Sequence, residues 1–135
     1  MAGWQRRFPM TVNGTVWWTE LMTRDVPAAL RYYSDVCGWT FEKVDHDTMT
    51  YHIGSRDGQP SVGVMDITGM DGFDGLPAHW FSYFAVDDLG AALERSAALG
   101  GKVGKPPFAM PGVGRIAIVI DPTGAAMGLI EPETA

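Results

Sequence analysis

The chain has 135 residues, of which 46% are hydrophobic and 19% charged, and its formal net charge is −6. This length predicts a single domain, residues 1–135, and no apolar run approaches the roughly 20 residues that a membrane-spanning helix requires. Because nucleic-acid surfaces need concentrated positive charge, and only Arg6 and Arg7 cluster here, the composition predicts a soluble protein with neither nucleic acid nor membrane as a partner.

Two features predict a cytoplasmic location. Arg6 and Arg7 are not followed by the apolar core, roughly 7 to 15 residues long, that a secretory signal requires. The single cysteine, Cys37, cannot form an internal disulfide, which fits a reducing compartment. Its position late in an apolar helical segment predicts a small, buried side chain.

The first half of the chain is typical of a strand, a helix and three further strands. Thr15 to Met22 is rich in β-branched and aromatic residues, which favours a strand. Asp25 is then expected to cap a helix that runs to about Cys37 and ends at Gly38. Extended segments are predicted at residues 40–44, 48–54 and 61–66.

The pattern begins again after a glycine-rich segment at residues 68–77, which predicts a linker. Trp80 to Val86 is the next expected strand, and Asp88 is expected to cap a helix that is stopped by Gly100-Gly101. Extended segments are predicted at residues 102–103, 113–120 and 125–130. The proline-rich segment Lys105 to Gly112 is predicted to be a loop that covers a cleft.

A shift of the sequence against itself by 63 residues supports an internal duplication. It places Asp25, Ala28, Ala29, Leu30 and Gly38 on Asp88, Ala91, Ala92, Leu93 and Gly101. The strand before each helix and the strands after it recur as well. We therefore predict a first module at about residues 15–67, a linker at 68–78 and a second module at about residues 79–132.

The order of these segments resembles the vicinal oxygen chelate superfamily, which includes glyoxalase I, bleomycin-resistance proteins and extradiol dioxygenases. The likeness is carried by Trp17 to Asp25, Tyr32-Tyr33 and Gly38-Trp39, and later by His79-Trp80, Val86 to Asp88, Leu99 to Gly101, Gly114-Arg115 and Asp121 to Ala125. The resemblance implies an α+β fold of two tandem βαβββ modules, whose strands form an open barrel-like sheet around a cleft. It also implies a homodimer.

Relatives in this superfamily commonly hold a divalent ion in the cleft, using His, Glu or Gln from the first and last strand of each module. The matching positions here are Trp18, Phe81, Gly128 and either Val64 or Met65. None of these side chains offers the oxygen or imidazole donor that such ions prefer. We therefore expect no metal and no other cofactor.

Strand alternation predicts the lining of the cleft: if Trp18 points inward, so does Glu20, and if Phe81 points inward, so do His79 and Tyr83. Glu20 is a candidate base, and the alternatives are a salt bridge to Arg115 or simple surface exposure. His79 is a candidate base or a structural residue, and Tyr83 a ligand anchor or a structural hydrogen-bond donor. The predicted ligand-binding residues are Trp18, Glu20, His79, Phe81, Tyr83 and Arg115, and the candidate catalytic residues are Glu20 and His79.

Several aromatic residues near these strands could stack against a planar ligand or belong to the core, namely Trp17, Trp18, Trp39, Trp80 and Phe81. The motifs of hydrolases and nucleotide-binding enzymes are absent from the sequence. We predict a small-molecule-binding protein without the family metal, for an aromatic or hydrophobic ligand. The alternatives are a lyase, isomerase, hydroxylase or dioxygenase acting in the same cleft, and an assembly module.

Overall fold

The computed structural model describes residues 12–46 and 49–133. In chain order its elements are β1 (Val16–Thr23), α1 (Val26–Cys37), β2 (Thr40–His46), β3 (Met49–Arg56), β4 (Gln59–Asp66), β5 (His79–Ala85), α2 (Leu89–Ala98), β6 (Lys102–Met110), β7 (Gly114–Ile120) and β8 (Ala126–Pro132). Each half is a strand, a helix and three strands, so the predicted α+β class and the βαβββ repeat are confirmed. Within the described ranges no helix is long and apolar enough to cross a membrane.

The chain divides into two compact units: residues 18–82, called the 18–82 unit, and residues 83–133 with residues 12–17, called the 83–133 unit. In the 18–82 unit the strands lie in the order β2-β3-β4-β1, with β1 parallel to β4 and Glu20 opposite Gly63. In the 83–133 unit the order is β5-β8-β7-β6, with β5 parallel to β8 and Tyr83 opposite Gly128. The remaining pairs are antiparallel.

Helix α1 begins and ends at the predicted residues. The Asp25 side chain accepts a hydrogen bond from the Ala28 N–H at 3.1 Å and so satisfies one of the free donors of the first turn. Gly38 ends the helix with φ at 72°, a left-handed conformation that glycine adopts without a steric penalty. These local signals are sufficient to place both ends of the helix.

Each unit has a hydrophobic cluster beneath its helix, and the clusters identify which face of each strand a helix covers. In the 18–82 unit the cluster consists of Leu21, Val26 and Val64. In the 83–133 unit it consists of Val86, Leu89, Ala117, Val119 and Leu129. Residues that alternate with these along the strands, such as Glu20 beside Leu21, therefore project from the face away from the helix.

The proline-rich segment forms a strand, so the prediction of a loop there is wrong. Residues Lys102–Met110 pair with β7 as strand β6, at the end of the strand order. The pairing register shifts between Val103 and Lys105 and again between Lys105 and Phe108. Proline cannot donate to a strand ladder, and an irregular edge strand is where Pro106 and Pro107 can be accommodated.

Cys37 is exposed, so the prediction of a buried side chain is also wrong. The contacts of α1 with the hydrophobic cluster come from Val26, Ala29, Leu30 and Tyr33, in its first two turns. Cys37 is the last residue of the helix, beyond this packed stripe.

Replacement of the cap residue provides a test of this account of α1. Asp25→Ala should lower the free energy of unfolding by about 1 kcal/mol because the Ala28 N–H loses its acceptor. Urea denaturation measures the change. Asp35→Ala, which removes an exposed carboxylate from the same helix, is the control and should change stability by less than about 0.5 kcal/mol. Equal losses in the two variants would contradict a capping role for Asp25.

Candidate functional site

A buried carboxylate lies on one face of the 18–82 unit. Glu20 of β1 is only 5% exposed and projects from the face opposite α1. Its Oε1 accepts a hydrogen bond from Tyr51 Oη at 2.9 Å, and Tyr51 Oη accepts one from Trp18 Nε1 at 2.8 Å. We call these three side chains the Trp18–Tyr51–Glu20 network. It links three polar groups on an otherwise largely apolar surface.

Gly63 provides the space that Tyr51 occupies. It lies opposite Glu20 on the neighbouring strand β4, and a Cβ atom at this position would overlap the Tyr51 hydroxyl and ring. Glycine inside a strand often marks the close approach of another group. Here that group is the phenol that hydrogen-bonds Glu20, so any larger side chain at residue 63 would displace it.

Tyr51 is a permanent hydrogen-bond donor in this site. Burial, followed by the nearby Glu20 carboxylate, raises the pKa of Tyr51 far above its ordinary value of 10.0. Because both causes disfavour the phenolate, the hydroxyl keeps its proton at physiological pH. Tyr51 therefore donates to Glu20 as a neutral phenol.

His79 and Phe81 lie on the same face as Glu20. The Thr19 and Ser82 hydroxyl oxygens are 3.5 Å apart, so these two residues share the other face of β1 and β5. Alternation then places Phe81, which is 8% exposed, and His79 opposite them. The structure thus brings four of the predicted binding residues to one face: Trp18, Glu20, His79 and Phe81.

The His79 ring has a defined tautomer. Its Nδ1 lies 2.8 Å from the Pro77 carbonyl oxygen, which can only accept a hydrogen bond. Nδ1 therefore carries a proton, and in the neutral ring Nε2 is the acceptor. This contact matches the structural alternative for His79 and leaves Nε2 as the nitrogen that a ligand could reach.

Tyr83 and Arg115 both lie in the 83–133 unit, but on opposite faces of it. Tyr83 packs against a cluster that includes Ile116. Arg115 is exposed and alternates with Ile116, so it projects from the face of Ala117, which α2 covers. The structure does not bring the two side chains together within this unit. Their roles as ligand contacts, and the pairing of Glu20 with Arg115, stay predictions.

Trp39 and Trp80 belong to an aromatic cluster against α1, which matches the core alternative for these two residues and not the stacking one. The ring centroids of Tyr33 and Trp39 are 5.5 Å apart, and those of Tyr33 and Trp80 are 5.3 Å apart. Trp80 Nε1 also donates a hydrogen bond to Tyr33 Oη at 3.1 Å. Because Tyr33 belongs to α1, this cluster lies on the helix face, away from Glu20.

The 83–133 unit contains a pocket of about 640 Å³, which we consider a weaker candidate site. Its walls include Trp17, Met110 and Arg115 together with three carboxylates. Each carboxylate already accepts a hydrogen bond from a backbone N–H: Asp87 from Val12, Glu131 from Leu89 and Glu133 from Gly112. The acidic side chains therefore have a structural role in holding the backbone.

Comparison with known proteins identifies the family. The profile of the Glyoxalase/Bleomycin resistance protein/Dioxygenase superfamily matches residues 15–129. The chain belongs to this superfamily. The resemblance noted in the sequence is thereby confirmed.

Two curated relatives and one solved structure show how far the likeness extends. The chain is 36% identical over 122 residues to the putative glyoxylase CFP32 of Mycobacterium bovis, covering 89% of this chain and 45% of that protein. It is 35% identical over 124 residues to the anthracycline biosynthesis protein DnrV of Streptomyces peucetius, covering 83% and 45%. The chain thus spans about half the length of these relatives. The fold matches methylmalonyl-CoA epimerase from Mycobacterium tuberculosis with a TM-score of 0.66 at 17% identity, covering 95% of this chain and 94% of that one.

Strand pairing corrects one of the positions at which superfamily members bind metal. Glu20 is opposite Gly63, and Tyr83, its counterpart 63 residues later, is opposite Gly128. Gly63, and neither Val64 nor Met65, is therefore the first-module counterpart of Gly128.

The residues at these four positions do not fit a divalent ion. Gly63, Gly128 and Phe81 have no side-chain donor atom, and the Trp18 indole N–H is already donated to Tyr51. Among the residues that the structure describes, no group of three or more His, Cys, Asp or Glu side chains could hold a metal. A metal-free site stays a prediction.

Sequence reasoning did not single out Tyr51 or Gly63. A glycine inside a strand and a tyrosine at an alternating position were the available signals. Neither signal shows that Tyr51 lies beside Glu20, because that depends on which strands pair and in which register.

Removal of the Tyr51 hydroxyl should change how stability depends on pH. The folded protein holds this proton, whereas the unfolded chain releases it near pH 10.0, so its stabilising contribution is present below that pH and lost as pH rises above it. Above about pH 10 the free energy of unfolding should fall less steeply with pH in Tyr51→Phe than in the parent protein. The two slopes should differ by up to about 1.4 kcal/mol per pH unit. At neutral pH the variant should be about 1–3 kcal/mol less stable, since Glu20 loses a donor.

Urea denaturation at a series of alkaline pH values measures this slope. Tyr32→Phe is the matched control, because Tyr32 is 58% exposed, and it should keep the slope of the parent protein. Identical slopes in all three proteins would show that Tyr51 titrates normally in the folded state.

Proposed function

We propose that the chain binds a small organic molecule, without a divalent ion, on the face of the 18–82 unit that carries the Trp18–Tyr51–Glu20 network. The observation that carries this proposal is the burial of Glu20 on β1, where it is 5% exposed. The two residues that follow it, Leu21 and Met22, are apolar and 6% and 3% exposed. A buried carboxylate opposes folding by several kcal/mol unless it is hydrogen-bonded, and an apolar residue would avoid that cost. A carboxylate at this position therefore favours a functional role.

The proposed ligand is planar and aromatic. Trp18 and Phe81 lie on the same face as Glu20 and His79, and apolar walls with a few polar groups are the usual form of a small-molecule site. The relative named for anthracycline biosynthesis supports this class, because anthracyclines contain a planar anthraquinone ring system. The proposed contacts are Trp18, Glu20, Tyr51, His79 and Phe81, while Tyr83 and Arg115 stay predictions.

The second candidate is an enzyme that uses the same site, of the lyase, isomerase, hydroxylase or dioxygenase classes. The buried Glu20 and the relative named putative glyoxylase favour it. In such an enzyme Glu20 would be the general base and His79 Nε2 a second proton acceptor. Turnover of a bound compound that is lost in Glu20→Gln, with binding retained, would favour the enzyme over a binding protein.

Titration with hydroxymethylanthraquinone, followed by tryptophan fluorescence, tests the proposal. We expect saturable binding that Glu20→Gln weakens at least about tenfold, equivalent to about 1.4 kcal/mol. Glu42→Gln, which alters an exposed glutamate of β2, is the control and should bind normally. Chelators and added Ni²⁺ should leave the affinity unchanged. Absence of binding by this compound and by an anthracycline would refute the proposal, and binding that requires the metal would refute its metal-free form.

We further propose that the protein works as a homodimer in the cytoplasm. The exposed thiol of Cys37 is consistent with a reducing compartment. Sedimentation velocity tests the dimer, which should sediment with twice the mass of the monomer. A monomer at about 100 μM, a concentration at which dimers of micromolar affinity form, would contradict it.

A further inference from the structure

The Trp18–Tyr51–Glu20 network has a fixed direction. An indole N–H can only donate, so Tyr51 Oη is an acceptor at the 2.8 Å contact with Trp18. The phenol has one proton, and it is donated to Glu20 Oε1 at 2.9 Å. Tyr51 Oη can therefore offer only a lone pair to any further group, and Glu20 likewise offers only lone pairs while its carboxylate is ionised.

The burial of Glu20 strengthens the preference of the network for a ligand group that donates a hydrogen bond. Glu20 is 5% exposed, so little water screens its carboxylate, whereas Tyr51 and Trp18 are half-buried and more accessible. A hydroxyl, amide N–H or protonated amine could form a charge-assisted hydrogen bond there. A carboxylate or phosphate has no proton to donate to these oxygens and would lose its own hydration in a poorly solvated place.

We propose that the network selects the ligand by its hydrogen-bond donor: the site takes a planar aromatic molecule with a hydroxyl, amide or protonated amine at its polar end, and it rejects the matching anion. This inference rests on the proposed binding function. Glu20 and Tyr51 supply the selecting oxygens, and Trp18, besides its proposed ring contact with the ligand, positions the Tyr51 hydroxyl through its indole N–H. Gly63 is required because a side chain there would overlap that hydroxyl.

The direction of the network can be tested without a ligand. In ¹H–¹⁵N spectra the indole N–H of Trp18, assigned with Trp18→Phe, should exchange slowly with solvent because Tyr51 accepts it. Tyr51→Phe should accelerate this exchange at least about tenfold, whereas Tyr32→Phe should not, since its hydroxyl is exposed. Gly63→Ala, which keeps all three polar residues, should also accelerate it. Unchanged exchange in both Tyr51→Phe and Gly63→Ala would overturn the network, whatever the protein binds.

A matched series of anthraquinones tests the selectivity. The hydroxymethyl and aminomethyl compounds should bind at least about tenfold more tightly than anthraquinone carboxylate, and Glu20→Gln should reduce this preference to within about threefold. Glu42→Gln should keep the full preference.

The outcomes separate the two proposals. If neither these three compounds nor an anthracycline binds, the proposed function fails, and the donor selectivity fails with it. If all three bind with similar affinity and Glu20→Gln weakens them all, the binding site stands and the selectivity is overturned. If the carboxylate binds best, the site selects anions, and the inference is again overturned.

Discussion

The carboxylate of Glu20, buried on an apolar strand, is the constraint on which the rest of the site depends. Such a group must be hydrogen-bonded, since an isolated buried charge costs more free energy than a small domain can offset. Tyr51 on β3 provides one such hydrogen bond, and it can do so because residue 63 on the intervening strand β4 has no side chain. The choice of one acidic residue thus fixes the identities of two others on neighbouring strands.

The two modules have the same strand pairing but different side chains at equivalent positions. Glu20 and Tyr83 occupy equivalent places on β1 and β5, and each lies opposite a glycine of the last strand in its module. In both modules the glycine leaves room for a tyrosine ring, yet that ring comes from β3 in the first module and from β5 itself in the second. The two modules therefore share the glycine position, while one has a buried carboxylate opposite it and the other has a tyrosine.

Membership of the superfamily identifies the fold of this chain but does not tell which ligand or reaction its site serves. The superfamily plan places metal-binding side chains on the first and last strands of each module, and here those places hold an indole, a phenyl ring and two glycines. The same face carries the Trp18–Tyr51–Glu20 network, in which Trp18 donates a hydrogen bond to Tyr51 and Tyr51 donates one to Glu20. The proposed function is based on that difference: in the proposal, ring surface and hydrogen-bond acceptors recognise the ligand, and no ion is coordinated.

The sequence by itself determined the repeated strand-helix-strand plan, the ends of α1 and the family. These depend on signals local to the chain, such as the Asp25 cap and Gly38, and on a repeat that needs no coordinates. Strand alternation also predicted that Trp18 and Glu20 share a face. Only the tertiary structure shows which side chains from different strands are in contact.

Tyr51 and Glu20 are 31 positions apart in the sequence, and their contact depends on the register of three strands. Three other findings depend in the same way on non-local pairing. They are the strand β6, which contains Pro106 and Pro107, the separation of Arg115 from Tyr83, and the packing of Trp80 against α1. Local propensity carries no information about strand partners, since a shift of one residue moves every side chain to the other face. The correct register is stabilised because it buries the apolar side chains of each strand on the proper face.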